Sequence, residues 1–198
     1  MATLTQDLYA SAPSTLPFAP SLDIRAFLLE RDAGNLLVYS APTVIDEADT
    51  IEALGGIAHQ YLNHEHEAGF GVAAIAERFG SVVVDETFSE RTMVDADFEV
   101  IPTPGHTPGA RAFLWDSGHH RYLFTGDTIY LDNGEWVAAL LGSSDRESYV
   151  ASLELIRDLE FDLLVPWAAT HGQPYMSSTN RDETGRRIDA ILNKLKRT

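Results

Sequence analysis

The sequence predicts a layered α/β protein with helices covering sheets, on three observations. Strand-like and helix-like signals alternate along the chain, in the order strands, helix, strand, helix, further strands, helix, strand, helix. Gly, Pro, Asp and His turns separate short apolar runs in the middle of the chain. With 198 residues and a hydrophobic fraction of 44%, the chain is long enough to bury a sizeable core. No linker or repeat divides it, so a single domain over residues 1–198 is expected, with residues 1–22 as a partly extended lead-in.

Taken in order, 27–30 and 36–40 are apolar runs flanking RDAGN, a hairpin signature. IDEADTIEAL has near-helical spacing and stops at Gly55 and Gly56. IAHQYL reads as a short strand. GVAAIAERFG reads as a helix closed by Gly80, and SVVV as a strand. FEVIPTPG, ARAFLW and RYLFTGD form a series of strands. SDRESYVASLELIRDL is an amphipathic helix capped by Ser144 or Asp145. FDLLVPW is a buried type of strand, and residues 180–196 form a last helix.

Composition narrows the partners. The charge is 14 − 30 = −16 with neutral histidines, which opposes binding to nucleic acid or to an anionic membrane, both polyanions. The basic run RRIDAILNKLKR also carries an apolar stripe and reads as the solvated face of a helix. No apolar run approaches the ~18 residues of a membrane span, and the N-terminus lacks the pattern of a signal peptide. A cytoplasmic location is the default expectation, and a small molecule is the expected substrate. The sequence says nothing about oligomeric state. The chain has no cysteine, so any metal must be held by nitrogen and oxygen.

Four motifs each follow a strand-like run: NHEH after IAHQYL, PGHTPG after FEVIPT, GDT after RYLF, and ATHGQP after FDLLVPW. Loops beyond strand ends are where α/β proteins place ligands. Each motif supplies a nitrogen or oxygen donor, namely His64 and His66, His106, Asp127, and His171. Each alone has an ordinary reading as a turn, a cap or a surface histidine, and it is the four in this order that point to a metal site. Strand-like alternation would put His64 and His66 on one face and turn Glu65 and Glu67 away from it. Glu65 and Glu67 then read as solvated carboxylates, or as acceptors for the outer N–H of a ligating histidine. Tyr130, Trp136, Trp167 and Tyr175 read mainly as core or rim aromatics. His59 has no motif around it, and His119 and His120 fall in a hairpin turn and are expected to be exposed.

HEHEAG, GHTPG, TGDT and THG resemble the successive motifs of the metallo-β-lactamase fold superfamily. The resemblance spans residues 64–172, and the hairpin before and helix after fit the family's ends. It implies a four-layer αββα sandwich with a metal site at one edge of two packed sheets, and most commonly a hydrolase using one or two metals. By position, His64, His66 and His106 match the first metal site, three imidazoles that leave zinc an open fourth position. The family's H-x-H-x-D-H motif departs here, because Ala68 and Gly69 stand at its last two ligand positions. Of the second site only Asp127 and His171 remain, so at most one firmly held divalent ion is implied. Asp127 is then the best-placed carboxylate to orient or deprotonate an attacking water.

The resemblance leaves three functions open. The first is a hydrolase with one zinc, acting on a small ester, thioester or lactone. The second is an iron enzyme similar to sulfur dioxygenases, in which His64, His106 and Asp127 would form a 2-His-1-carboxylate set. The third is a degenerate relative that binds a ligand and catalyses nothing.

Overall fold

The computed structural model describes residues 1–196; Arg197, the end of the basic run, lies outside them. The chain divides into two compact units, residues 1–86 and a second that begins at Thr87.

The first unit contains strands β1 (Ala2–Thr3), β2 (Leu8–Ala10), β3 (Ser14–Leu16), β4 (Ala19–Ile24), β5 (Phe27–Leu29) and β6 (Leu36–Val38), then helix α1 (Ala48–Ala53), β7 (His59–Tyr61), α2 (Val72–Phe79) and β8 (Val82–Val84). The lead-in expected over 1–22 is therefore built into sheets. β1 and β2 pair into the edge of a sheet ordered β1-β2-β5-β6-β7-β8, and β3 and β4 pair antiparallel as a hairpin. The expected hairpin is β5–β6, with Leu28 opposite Leu37. Its turn is held by Asn35, whose carboxamide accepts from the Arg31 N–H at 3.1 Å and donates to the carbonyls of Leu54 at 2.8 Å and Gly56 at 3.1 Å. One buried side chain thus joins the hairpin turn to the end of α1. From β6 onward the pairing is parallel, which requires crossovers, and α1 and α2 supply them. Ile51 and Ile75 from these helices pack with Leu28 and Leu37 of the sheet. α2 ends at Gly80 in the left-handed region, as its position after the apolar stripe predicts.

The NHEH segment departs from expectation. The strand ends at Tyr61, and residues Glu65–Gly69 form a 3₁₀ turn with His64 as its cap. Glu67 does not point to solvent. It is fully buried, and its carboxylate accepts the backbone N–H groups of Asn63 at 2.7 Å, His64 at 3.3 Å and Ser40 at 3.1 Å. Glu67 departs from simple alternation because a turn brings its carboxylate onto three buried amides, from which it accepts.

The second unit contains β9 (Thr92–Asp95), β10 (Phe98–Pro102), β11 (Arg111–Asp116), β12 (Arg121–Gly126), β13 (Tyr130–Asp132) and β14 (Glu135–Val137), then α3 (Arg146–Asp158), β15 (Leu163–Pro166), β16 (Ala168–Thr170), β17 (Ser177–Ser178) and α4 (Arg181–Leu195). Its main sheet is ordered β17-β15-β12-β11-β10-β9. β10 and β12 both run antiparallel to β11, and β15 runs parallel to β12. The C-terminal ends of β10, β12 and β15 therefore leave the sheet on the same edge, which is why GHTPG and GDT emerge side by side. Ile101, Leu123 and Leu164 from the sheet pack with Tyr149, Leu153 and Ile156 of α3 and with Ile188, Ile191 and Leu192 of α4. Asp145 caps α3 by accepting from Glu147 and Ser148, and Asn180 caps α4 by accepting from Glu183. On α4, Arg181, Arg186 and Lys194 are exposed, whereas Arg187 is half-buried, pairs with Glu183 at 2.6 Å and lies over the Trp136 ring.

One close approach fixes the GHTPG loop. Gly105 has φ +137°, and a Cβ there would lie 2.4 Å from the Tyr149 Cα and 2.6 Å from its backbone nitrogen. Only glycine lets α3 come this near the loop.

Two substitutions test these contacts. Glu67→Ala removes the acceptor that three buried amides share and should cost about 2–4 kcal/mol, read from the urea midpoint. Gly105→Ala forces α3 and the loop apart and should cost about 3 kcal/mol or more, a fall of roughly 6–12 °C in the thermal midpoint. A midpoint unchanged in either variant would show that the contact in question is dispensable.

Candidate metal centre

In the first unit, the chain leaves β7 at Tyr61 and reaches His64 three residues later. His64 is buried and His66 exposed, and their rings meet edge to face with centroids 4.9 Å apart. The two expected partners are thus side by side, although a turn and not a strand places them. His64 Nδ1 lies 3.4 Å from Glu67 Oε1. The His64 ring thus lies beside the Glu67 carboxylate at the start of the turn. Glu65, Ala68 and Gly69 are exposed.

In the second unit, β10 delivers His106 and β12 delivers Asp127. His106 is buried, and its Nδ1–H donates to the Ala139 carbonyl at 2.6 Å. That bond fixes the tautomer, so Nε2 presents a lone pair. Nε2 lies 3.6 Å from Asp127 Oδ2. The separation is too long for a hydrogen bond and sets the carboxylate beside the ring's lone pair. His171 is exposed in the turn after β16, where the Gln173 N–H reaches the Thr170 carbonyl at 3.0 Å and Gly172 takes φ +70°.

The donors are of the right kind for a divalent ion. Imidazole nitrogens with one carboxylate suit zinc or iron, and the paired histidine rings and the fixed His106 tautomer fit such an ion.

Around these residues the sequence reading missed two features. The first is the α3 end, which grips the GHTPG loop. Asp145 N–H donates to the Gly105 carbonyl at 3.0 Å, the Ser144 hydroxyl to the His106 carbonyl at 3.1 Å, and the Ser152 hydroxyl to the Pro104 carbonyl at 2.7 Å. The Tyr149 hydroxyl shares its proton between the carbonyls of Thr128 at 2.7 Å and Asp127 at 3.0 Å. Burial first, and the Asp127 carboxylate second, push the Tyr149 phenol well above its ordinary range, so it stays a donor. The second feature is the β13–β14 hairpin inside LDNGEW, with Leu131 opposite Trp136. Its signal was present, since Asn133 and Gly134 both take positive φ in the two-residue turn this dipeptide favours.

Among the aromatics, Trp136 and Trp167 are buried, and Trp136 stacks on Phe161 with centroids 6.3 Å apart. Tyr130 and Tyr175 are half-buried. His59 and His119 are exposed, while His120 is half-buried and meets Asp162 at 2.7 Å. No helix among the described residues is long and apolar enough to cross a membrane.

Comparison with known proteins agrees with this fold. No curated protein sequence matches significantly. ETHE1 from Myxococcus xanthus superimposes with a TM-score of 0.63 at 18% identity, over 94% of this chain and 89% of that one. The metallo-β-lactamase FIM-1 from Pseudomonas aeruginosa, in its mono-zinc form, gives a TM-score of 0.70 at 16% identity, over 95% and 93%. An archaeal metallo-β-lactamase superfamily protein from Sulfolobus tokodaii gives 0.61 at 14% identity, over 98% and 100%. At these identities the likeness is one of fold. The sequence model of the metallo-β-lactamase superfamily matches residues 29–168, well over half of the chain. With its mixed α/β fold and its histidines at the strand ends, the chain belongs to the metallo-β-lactamase superfamily.

Proposed function

We propose that this protein is a metal-dependent hydrolase that holds one zinc ion on His64, His66 and His106 and cleaves a small ester, thioester or lactone. The observation that carries this reading is the pairing in the second unit. His106 has its tautomer fixed by the Ala139 carbonyl, and the Asp127 carboxylate lies 3.6 Å from the exposed-lone-pair nitrogen. Family membership supplies the expectation of metal chemistry.

Zinc bound by three imidazoles acts as a Lewis acid and brings the pKa of water down towards ~7. The chain's own residues do the rest. The Ala139 carbonyl holds the His106 ring in place and raises its basicity. Glu67 accepts the amides of the turn that carries His64. Asp127 accepts the proton of the attacking water at a carboxylate oxygen and returns it to the leaving group. Ala68 provides no second carboxylate, so Asp127 performs this alone. Asp127 and His171 are the donors left for a second ion, too few to hold one tightly.

One specific observation favours a second reading. With His64, the same His106–Asp127 pair makes the 2-His-1-carboxylate set of non-haem iron. Metal identity separates the two. Elemental analysis of protein purified without chelators should give close to one zinc per chain, and iron together with oxygen consumption on thiol or persulfide substrates would replace the first reading by the second.

Two variants test the residue roles. His106→Ala should lose the metal and the activity together, and a variant that keeps its metal would remove His106 from the site. Asp127→Asn should keep a zinc ion at saturating concentration yet lower kcat on ester substrates by about 10²–10⁴-fold. Undiminished kcat would assign the proton to another group.

A further inference from the structure

We propose that Tyr149 is a positioning residue that sets the distance between His106 and Asp127; this rests on the metal-site reading above. α3 is usually free to serve as a covering layer, and most of its buried residues do that. Leu153 and Ile156 meet other apolar side chains in the core. Tyr149 faces the same core but ends in a hydroxyl, and that hydroxyl reaches neither water nor another side chain. It donates to the carbonyls of Asp127 and Thr128, the two residues that follow β12.

The same residue meets the other ligand loop through its backbone. Its Cα and N are the atoms against which Gly105, the neighbour of His106, is pressed. Tyr149 therefore touches both loops at once, one through the main chain and one through the phenol. The rest of the helix end fastens the His106 side of this bridge, by Asp145 to Gly105, Ser144 to His106 and Ser152 to Pro104. On the Asp127 side a further link is direct, since the Thr103 and Thr128 hydroxyls lie 3.3 Å apart. Tyr149 thus contacts both the segment before His106 and the carbonyl of Asp127. The 3.6 Å between His106 Nε2 and Asp127 Oδ2 thus spans two segments that one tyrosine joins.

A phenylalanine at this place would keep the ring in the core and give up only the hydroxyl. The Asp127–Thr128 turn would then lose its anchor, and the carboxylate would no longer hold its station beside the ion. Partners that orient ligands in this way are typically worth about 10–100-fold in metal affinity.

The experiment is a double-mutant cycle on zinc affinity, measured by competition with a chromophoric chelator at a temperature well below every midpoint. The four proteins are the wild type, Tyr149→Phe, Asp127→Asn and the double variant. Tyr149→Phe should bind zinc at least about tenfold more weakly, with a native far-UV spectrum. In the Asp127→Asn background the same change should have little further effect, because the phenol acts through that carboxylate. A purely structural tyrosine would lower the midpoint and leave the zinc affinity unchanged, which overturns the proposal. Fully additive effects overturn it as well, since they separate Tyr149 from Asp127. A wild type that binds no zinc would refute the metal site itself and this role with it, whereas a zinc-binding wild type with an unaffected Tyr149→Phe refutes this role alone.

Discussion

Loops that bring ligands to a metal must first satisfy their own backbone. A buried amide or carbonyl without a partner costs as much as a lost hydrogen bond, and ligand loops are rich in such groups because they leave the sheet ladder abruptly. Here the two units meet this constraint differently. In the first, one carboxylate, Glu67, collects the amides of Asn63, His64 and Ser40. In the second, a helix end supplies donors to the carbonyls of Pro104, Gly105 and His106, and a phenol supplies one to Asp127 and Thr128. Acceptor in one case and donors in the other, these groups decide where the histidines and the aspartate stand.

The arrangement bears on chemistry through rigidity. A ligand set works when its members are held close to their coordinating geometry before the ion arrives. His106 is fixed at its outer nitrogen by Ala139, and its loop is fixed at three carbonyls, so little freedom is left to remove on binding. Ala68 and Gly69 stand exposed in the turn, while the carboxylate that holds its amides is Glu67. Loss of the second-site side chains and retention of the framework are thus physically separable.

Much of this was legible in the sequence, and the exceptions have a common cause. Helix ends were readable where a cap acts within a few residues, as with Gly80, Asp145 and Asn180. The β5–β6 hairpin was readable from its turn, and the places of the candidate donor residues from the apolar runs before them. Glu67 was misjudged because its burial depends on Ser40, twenty-seven residues away in sequence. The role of Tyr149 was invisible for the same reason, its partners lying twenty-one and twenty-two residues back. The strands before Ile24 were missed because short two- and three-residue strands carry no periodicity of their own. The β13–β14 turn is different, for its Asn-Gly signal was present and local.

The hydrogen bond from His106 to Ala139 has a consequence for how freely the neighbouring loop can vary. Its acceptor is a main-chain carbonyl, which every amino acid provides equally. The grips at Gly105, Pro104 and His106 also end on carbonyls. Side chains on the strip from Ala139 to Gly142 are therefore released from holding the ligand, and Leu140 and Leu141 are indeed exposed there. Such a strip can exchange its side chains, and with them the surface offered beside His106, while the imidazole stays where it is. Diversification of the rim and constancy of the centre are in this way built on the same few backbone atoms.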